Sequence, residues 1–153
     1  MEMEVEGVYS IARDGKLNRV ADDLTRPNGI ILSPDNKTLY VADHGAAKTW
    51  AWDIAGEGKI ENRRLFADFG SDGVTMDRDG NLYLTWDESI IVISSVGKEI
   101  ARLKMPEAPS NCTLVGNTLY ITAITGFYSV KTNTRGLLDS PDSVPSADIT
   151  PIV

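Results

Sequence analysis

Apolar residues along this chain come in short runs of four to eight, rich in Val, Ile, Tyr and Thr, each bounded by turn residues. That pattern predicts strands rather than helices. Three stretches also line up with one another. Pro27-Asn28-Gly29-Ile30-Ile31-Leu32 leads to Thr38-Leu39-Tyr40-Val41-Ala42. Ser71-Asp72-Gly73-Val74-Thr75-Met76 leads to Asn81-Leu82-Tyr83-Leu84-Thr85, and Ser110-Asn111-Cys112-Thr113-Leu114-Val115 to Thr118-Leu119-Tyr120-Ile121-Thr122. The Leu-Tyr-aliphatic cores begin at 39, 82 and 119, so the spacings are 43 and 37 residues. Between the first two strands of each repeat stand Asp35-Asn36, Asp79-Gly80 and Gly116-Asn117, pairs that accept positive φ and close tight antiparallel hairpins. Third runs follow at 49–54 and 90–93, and fourth runs at 63–67 and 99–103. Four strands in roughly 40 residues is the period of a β-propeller blade.

The two ends fall inside blades. Residues 7–11 and 17–21, joined through Asp14-Gly15, read as the third and fourth strands of a blade, while the third repeat has a third run at 126–130 and no evident fourth. The expected fold is all-β, with about three blades of four antiparallel strands. A domain at 1–131 comprises a partial blade 7–24, blades 27–69 and 71–105, and a partial blade 110–131. Residues 132–153, with Pro141, Pro145 and Pro151 and little apolar periodicity, read as a tail, either mobile or an arm that packs on a neighbour.

Composition narrows the function. The chain has 153 residues, 42% of them apolar, enough to bury the core of one domain. Its 15 basic and 22 acidic side chains leave a net charge of −7, which argues against a nucleic-acid partner. Cys112 is the single cysteine, so an internal disulfide and a Cys/His zinc spacing are both excluded. No apolar run reaches the ~20 residues of a membrane span. The opening Met1-Glu2-Met3-Glu4-Val5-Glu6 is acidic where a secretory signal is basic and then apolar, so a cytoplasmic location is the expectation.

Several motifs in order carry a resemblance. They are Gly7-Val8-Tyr9-Ser10 with Asp14-Gly15-Lys16; Arg26-Pro27-Asn28-Gly29-Ile30, then Ser33-Pro34-Asp35 and Leu39-Tyr40-Val41-Ala42-Asp43; Asn62-Arg63-Arg64-Leu65-Phe66-Ala67-Asp68-Phe69; Ser71-Asp72-Gly73-Val74; and Ser110-Asn111-Cys112-Thr113. From residue 7 to about 130 the chain resembles the second half of the gluconolactonase/regucalcin/luciferin-regenerating-enzyme family. The resemblance implies a six-bladed propeller that binds one divalent cation, calcium or zinc, in its central tunnel and hydrolyses sugar-acid lactones or related esters. It implies a metal held by a Glu of the first blade, the Asn of Pro-Asn-Gly and the Asp of Asp-Gly. Asn28 and Asp72 match the last two. The Glu, and the family's substrate-contacting Asn and Arg, belong to the half that the resemblance does not cover.

Asn28 and Asp72 open the innermost strand of successive blades, where side chains point to the axis, and their oxygens suit a hard cation such as calcium. In lactone hydrolysis the cation polarises the carbonyl, and Asp72 is the candidate general base. Pro-Asn-Gly and Ser-Asp-Gly are also ordinary turn sequences. Asn111 holds the matching place in the third repeat and is a candidate substrate contact. Its neighbour Cys112 faces the other side and reads as a small buried hydrophobe. His44, in the Asp43-His44-Gly45 turn, either reaches a blade-top cleft as a second substrate contact or is a solvated loop residue. As the single histidine it can join no relay that needs a second one. Trp50 and Trp52 share a strand face, either as core between blades or as a sugar-stacking platform. Asp22-Asp23 and Asp77 with Asp79 lack EF-hand spacing and read as turns.

An open stack of three blades leaves sheet faces and an edge uncovered. The expectation is therefore a head-to-tail homodimer completing six blades, with strands 7–21 of one copy completing the third repeat of the other. The function expected is a divalent-metal-dependent hydrolase of sugar-acid lactones or related esters, active when the ring is completed, with a small-molecule lactone or sugar acid as ligand. The alternatives are a non-catalytic metal- or ligand-binding or scaffold module, and a truncated family member without activity.

Overall fold

A computed structural model describes residues 6–56, 58–137 and 150–151, and the chain divides into two units, residues 1–71 and 72–153. In the first unit β1 (Val8–Ile11) pairs with β2 (Leu17–Ala21). There too β3 (Pro27–Leu32), β4 (Thr38–Asp43), β5 (Lys48–Gly56) and β6 (Lys59–Ala67) form one sheet in chain order. In the second, β7 (Val74–Met76), β8 (Leu82–Trp86), β9 (Ser89–Ile93) and β10 (Glu99–Lys104) form another. A further sheet holds β11 (Pro109–Val115), β12 (Thr118–Ala123), β13 (Phe127–Lys131) and β14 (Thr150–Pro151). Each four-stranded sheet is an antiparallel meander of the propeller-blade kind, and β1 and β2 form a two-stranded hairpin. No helix among the described residues is long and apolar enough to cross a membrane.

The hairpin chemistry is as the sequence suggests. Asn36 (φ 57), Gly80 (φ 80) and Gly116 (φ 58) adopt the left-handed conformation at the first turn of the three repeats. Asn and Gly carry the smallest penalty there. One strand departs from the reading. The third repeat does have a fourth strand, formed by Thr150 opposite Ser129 and Pro151 opposite Tyr128. Two residues, one of them proline, present no periodicity to read.

Both units have a core between their sheets. In the first, Val8, Leu24, Leu39, Val41 and Trp52 are buried together, with Val20 and Trp50 against them. In the second, Tyr83, Ile90, Val92, Met105, Cys112, Leu114, Leu119 and Ile121 form the cluster. Every residue of β9 is buried, as its unbroken Ile-Ile-Val-Ile run requires. Fully burying one such side chain stabilises the fold by roughly 1.5–3 kcal/mol.

Trp50 and Trp52 belong to this framework. The Arg63 guanidinium carbon lies 3.9 Å from the Trp50 ring centroid and 5.4 Å from that of Trp52, while Arg63 also pairs with Asp23. The cation covers the indoles and anchors the loop after β2 to the sheet.

Residues 132–137 lie back on the second unit. Thr132 N–H donates to the Asn117 carbonyl at 2.8 Å and Gly136 N–H to that of Gly116 at 2.9 Å. Arg78 N–H donates to the Arg135 carbonyl at 3.0 Å, and the Thr134 hydroxyl to Asp77 Oδ2 at 3.0 Å. The segment thus ties the β7–β10 sheet to the β11–β14 sheet. Gly136 is obligatory, since a Cβ there would stand 2.2 Å from the Leu114 carbonyl oxygen. Residues 138–149 and 152–153, and with them the reading of a mobile or packing arm there, lie outside the described residues.

Candidate functional site

The first and third repeats open their first strand with a register irregularity, and in all three repeats a candidate oxygen donor stands at or just before that opening. In β3–β4, Pro27 faces Asp43 and Ile30 faces Val41, so Asn28 and Gly29 share one partner position. In β11–β12, Pro109 faces Ala123 and Asn111 faces Thr122, leaving Ser110 as the extra residue. Just before β7, Asp72 N–H donates to the Thr85 carbonyl at 3.3 Å and Thr85 N–H to that of Gly73 at 3.1 Å. Bulges bend the strand and re-aim a side chain, and they recur beside active sites. Asn28, Asp72 and Asn111 are all exposed there.

In the first unit the opening is set by Asp43, which is 2% exposed. Its carboxylate accepts the N–H groups of Thr25 and Arg26, each at 2.8 Å, and that of Ala46 at 3.3 Å. One buried acid thereby fixes both the loop entering Pro27-Asn28 and the turn that bears His44. His44 N–H donates to the Arg26 carbonyl at 3.0 Å, and Gly45 lies so close to Thr25 that a Cβ would meet its methyl at 2.8 Å. The structure therefore places His44 and Asn28 at the same end of the β3–β6 sheet. A groove of about 1260 Å³, lined among others by Arg13, Lys16, Arg19 and Lys59, lies by the β1–β2 and β5–β6 turns, and none of the candidate residues lines it.

In the second unit the fully buried Thr85 holds the opening. Its hydroxyl accepts Gly73 N–H at 2.7 Å and lies 3.2 Å from the Gly73 carbonyl. Gly73 in turn backs directly on Asn111: a Cβ would stand 2.4 Å from both the Cα and Oδ1 of Asn111. A side chain at residue 73 would push Asn111 away, so glycine here lets the backbone next to Asp72 lie against Asn111. Asn111 Oδ1 accepts the N–H of Cys112 at 2.8 Å, and the Ser110 hydroxyl lies 3.0 Å from that of Thr122. Thr85 and Thr122 occupy the same place in their repeats, so this pair of supports was visible in the sequence as a repeated threonine.

Cys112 points the other way, into the core. Burial pushes its thiol up to about 12, and its Sγ lies 3.6 Å from the Tyr83 carbonyl oxygen. A neutral, enclosed thiol is no nucleophile. Asp77, also fully buried, accepts Asp79 N–H at 3.0 Å, Asn81 N–H at 2.9 Å and the Tyr83 hydroxyl at 3.2 Å. It organises the β7–β8 turn, as the turn reading of Asp77 and Asp79 anticipates.

Asp43, quoted in a motif but given no role, and Glu107, in none of the motifs, are the supports that sequence reasoning missed. Glu107, in the loop before β11, accepts the N–H of Thr125 at 2.9 Å, the Thr125 hydroxyl at 3.0 Å and the Tyr128 hydroxyl at 2.9 Å. The Thr125 N–H, with those hydroxyls, holds its carboxyl below the ordinary value. These partners are 18 and 21 residues apart in sequence, beyond the reach of any local pattern.

No group of three or more His, Cys, Asp or Glu side chains among the described residues is arranged to hold a metal ion. Each strand opening by itself offers an amide or a carboxylate oxygen, the donor type that a hard divalent cation takes.

Residues 1–125 match the SMP-30/Gluconolactonase/LRE-like region. The chain is 31% identical over 152 residues to a gluconolactonase of Zymomonas mobilis, covering 88% of this chain and 43% of that protein. It is 31% identical over 125 residues to the diisopropyl-fluorophosphatase of Loligo vulgaris, covering 72% and 40%. The structure of a gluconolactonase from Xanthomonas campestris superposes with a TM-score of 0.78 at 32% identity, over 85% of this chain and 46% of that one. The chain thus spans less than half the length of these relatives. With a matching region that covers most of its length and four-stranded meanders of the propeller kind, the chain belongs to the SMP-30/gluconolactonase/LRE-like family.

Proposed function

We propose that the chain supplies half of a divalent-cation-dependent hydrolase of sugar-acid lactones or related esters. The observation that supports this reading is the close approach of Gly73, the residue after Asp72, to Asn111. In the proposed site Asp72 is the carboxylate able to take a proton and Asn111 the amide able to hold a substrate oxygen. The named relatives, a gluconolactonase and a diisopropyl-fluorophosphatase, support hydrolytic chemistry.

In this reading Asp72 and Asn28 are cation ligands through oxygen, with calcium favoured by an all-oxygen donor set and zinc the second choice. A cation held there would supply Lewis acidity, polarising the lactone carbonyl and acidifying the attacking water. Asp72 accepts the proton of that water as general base. Asn111 donates a hydrogen bond to the substrate, and His44, at the sheet end shared with Asn28, is a further substrate contact. A second copy of the chain is the partner that supplies the remaining blades.

The test is hydrolysis of an aldonolactone by the purified chain with added calcium or zinc, with chelator, and with Asp72→Asn, alongside the native mass by light scattering. We expect metal-dependent turnover from a species near twice 16.7 kDa, reduced about 10²–10⁴-fold in Asp72→Asn. Turnover indifferent to both chelator and Asp72→Asn overturns the reading. Cation binding without turnover instead identifies a non-catalytic module.

A further inference from the structure

Within the second unit, the loop between β10 and β11 is held at three points before it delivers Asn111. Met105, 3% exposed, donates its N–H to the Glu88 carbonyl at 2.8 Å. Pro109 is buried, and the Ser110 hydroxyl meets that of Thr122. Between these fixed points Glu107 reaches across to the β12–β13 turn, where the Ala123 N–H and Gly126 carbonyl already close a tight loop at 2.9 Å. One carboxylate oxygen takes both donors of Thr125, and the other takes the Tyr128 hydroxyl. The turn is shaped to admit that carboxylate. A Cβ at Gly126 would stand 2.5 Å from Glu107 Oε1.

We infer that Glu107 is a positioning residue: by pinning the loop before β11 to the β12–β13 turn it sets where Asn111 stands against Gly73, and so the spacing of Asn111 from Asp72. The inference deepens the lactonase reading and rests on it for the chemistry, but its mechanical content is separate. Glu107 touches neither Asp72 nor Asn111 in any hydrogen bond described above. It acts through the backbone that carries Ser110 and Asn111. A carboxylate receiving three hydrogen bonds is a stiff support, since each is charge-assisted and each partner lies on one short segment, 125–128.

The test uses the full chain, labelled for amide exchange, as wild type, Glu107→Ala and Glu107→Gln. The Cys112 N–H, bonded to Asn111 Oδ1, is the reporter. In Glu107→Ala its exchange should quicken about tenfold, the loss of one hydrogen bond's local protection, while the Ile91 amide in β9 keeps its wild-type rate. Glu107→Gln, which keeps an acceptor for Thr125, should recover most of the protection. With an aldonolactone as substrate, Glu107→Ala should raise KM about fivefold and leave kcat within about twofold. An unchanged Cys112 rate overturns the inference. So does an equal rise at Cys112 and Ile91, which marks a merely structural role. If the wild type turns over no lactone, the functional reading falls, and the exchange pair alone still decides whether Glu107 positions Asn111.

Discussion

Replacing Asp43 by alanine removes one carboxylate and leaves three donors, the N–H groups of Thr25, Arg26 and Ala46, without it. The two at 2.8 Å dominate, because the third, at 3.3 Å, is long for a charge-assisted bond. Hydrogen bonds to charged groups contribute about 1.5–3 kcal/mol each, so the low end for two of them is about 3 kcal/mol. Two corrections reduce this. Thr25 and Arg26 are exposed residues whose N–H groups water can partly reach, and the variant no longer keeps a carboxylate out of water. The expected loss is about 2 kcal/mol, or roughly 4–8 °C in Tm for a chain of this size. Urea unfolding followed by tryptophan fluorescence suits the measurement, since Trp50 and Trp52 lie in the same unit as Asp43. The midpoint should fall with the slope unchanged. Asp43→Asn, which keeps one carbonyl acceptor but turns an amide toward the donors, should lose less. A loss below about 0.5 kcal/mol for Asp43→Ala would show that the loop before Asn28 is held by packing and that the carboxylate is incidental.

Three further outcomes follow. Gly73→Ala forces a methyl into the Cα of Asn111, a backbone atom that cannot step aside. It should cost about 1–3 kcal/mol in urea unfolding and depress lactone turnover more than Asn111→Ala does. Cys112 should resist a thiol reagent at pH 8 in the native chain and react at once in urea. Because its folded value is raised to about 12, from an ordinary 9.0, its contribution to stability is complete below pH 9 and is lost as pH rises toward 12; Cys112→Ala should flatten that alkaline decline. Thr134→Val removes the hydroxyl that reaches Asp77, and should lower stability by about 1 kcal/mol and expose residues 132–137 to proteolysis; an unchanged cleavage pattern would count against the tie between the two sheets.

The strands were legible because they obey local rules. Alternation of apolar and polar residues and the turn residues Asn36, Gly80 and Gly116 mark the hairpins within a few positions of where they act. The equivalence of Asn28, Asp72 and Asn111 was legible for a related reason: a repeat places like residues in like surroundings. What escaped were supports that act through space. Asp43 reaches back 17 and 18 residues, Glu107 reaches forward 18 and 21, and Asn111 meets a glycine in the preceding repeat. None of these leaves a periodic mark. Strand β14 escaped because it is too short to show a period.

The three strand openings are held by unlike means: a buried carboxylate in the first repeat, a threonine hydroxyl in the second, a serine–threonine pair with a glutamate brace in the third. A frame built this way can be retuned one seat at a time. Because each exposed residue is steadied by partners of its own, drift at one opening need not unsettle the next, and new chemistry can be tried without recasting the sheets. Such independence is in keeping with this chain's similarity both to a gluconolactonase and to a diisopropyl-fluorophosphatase.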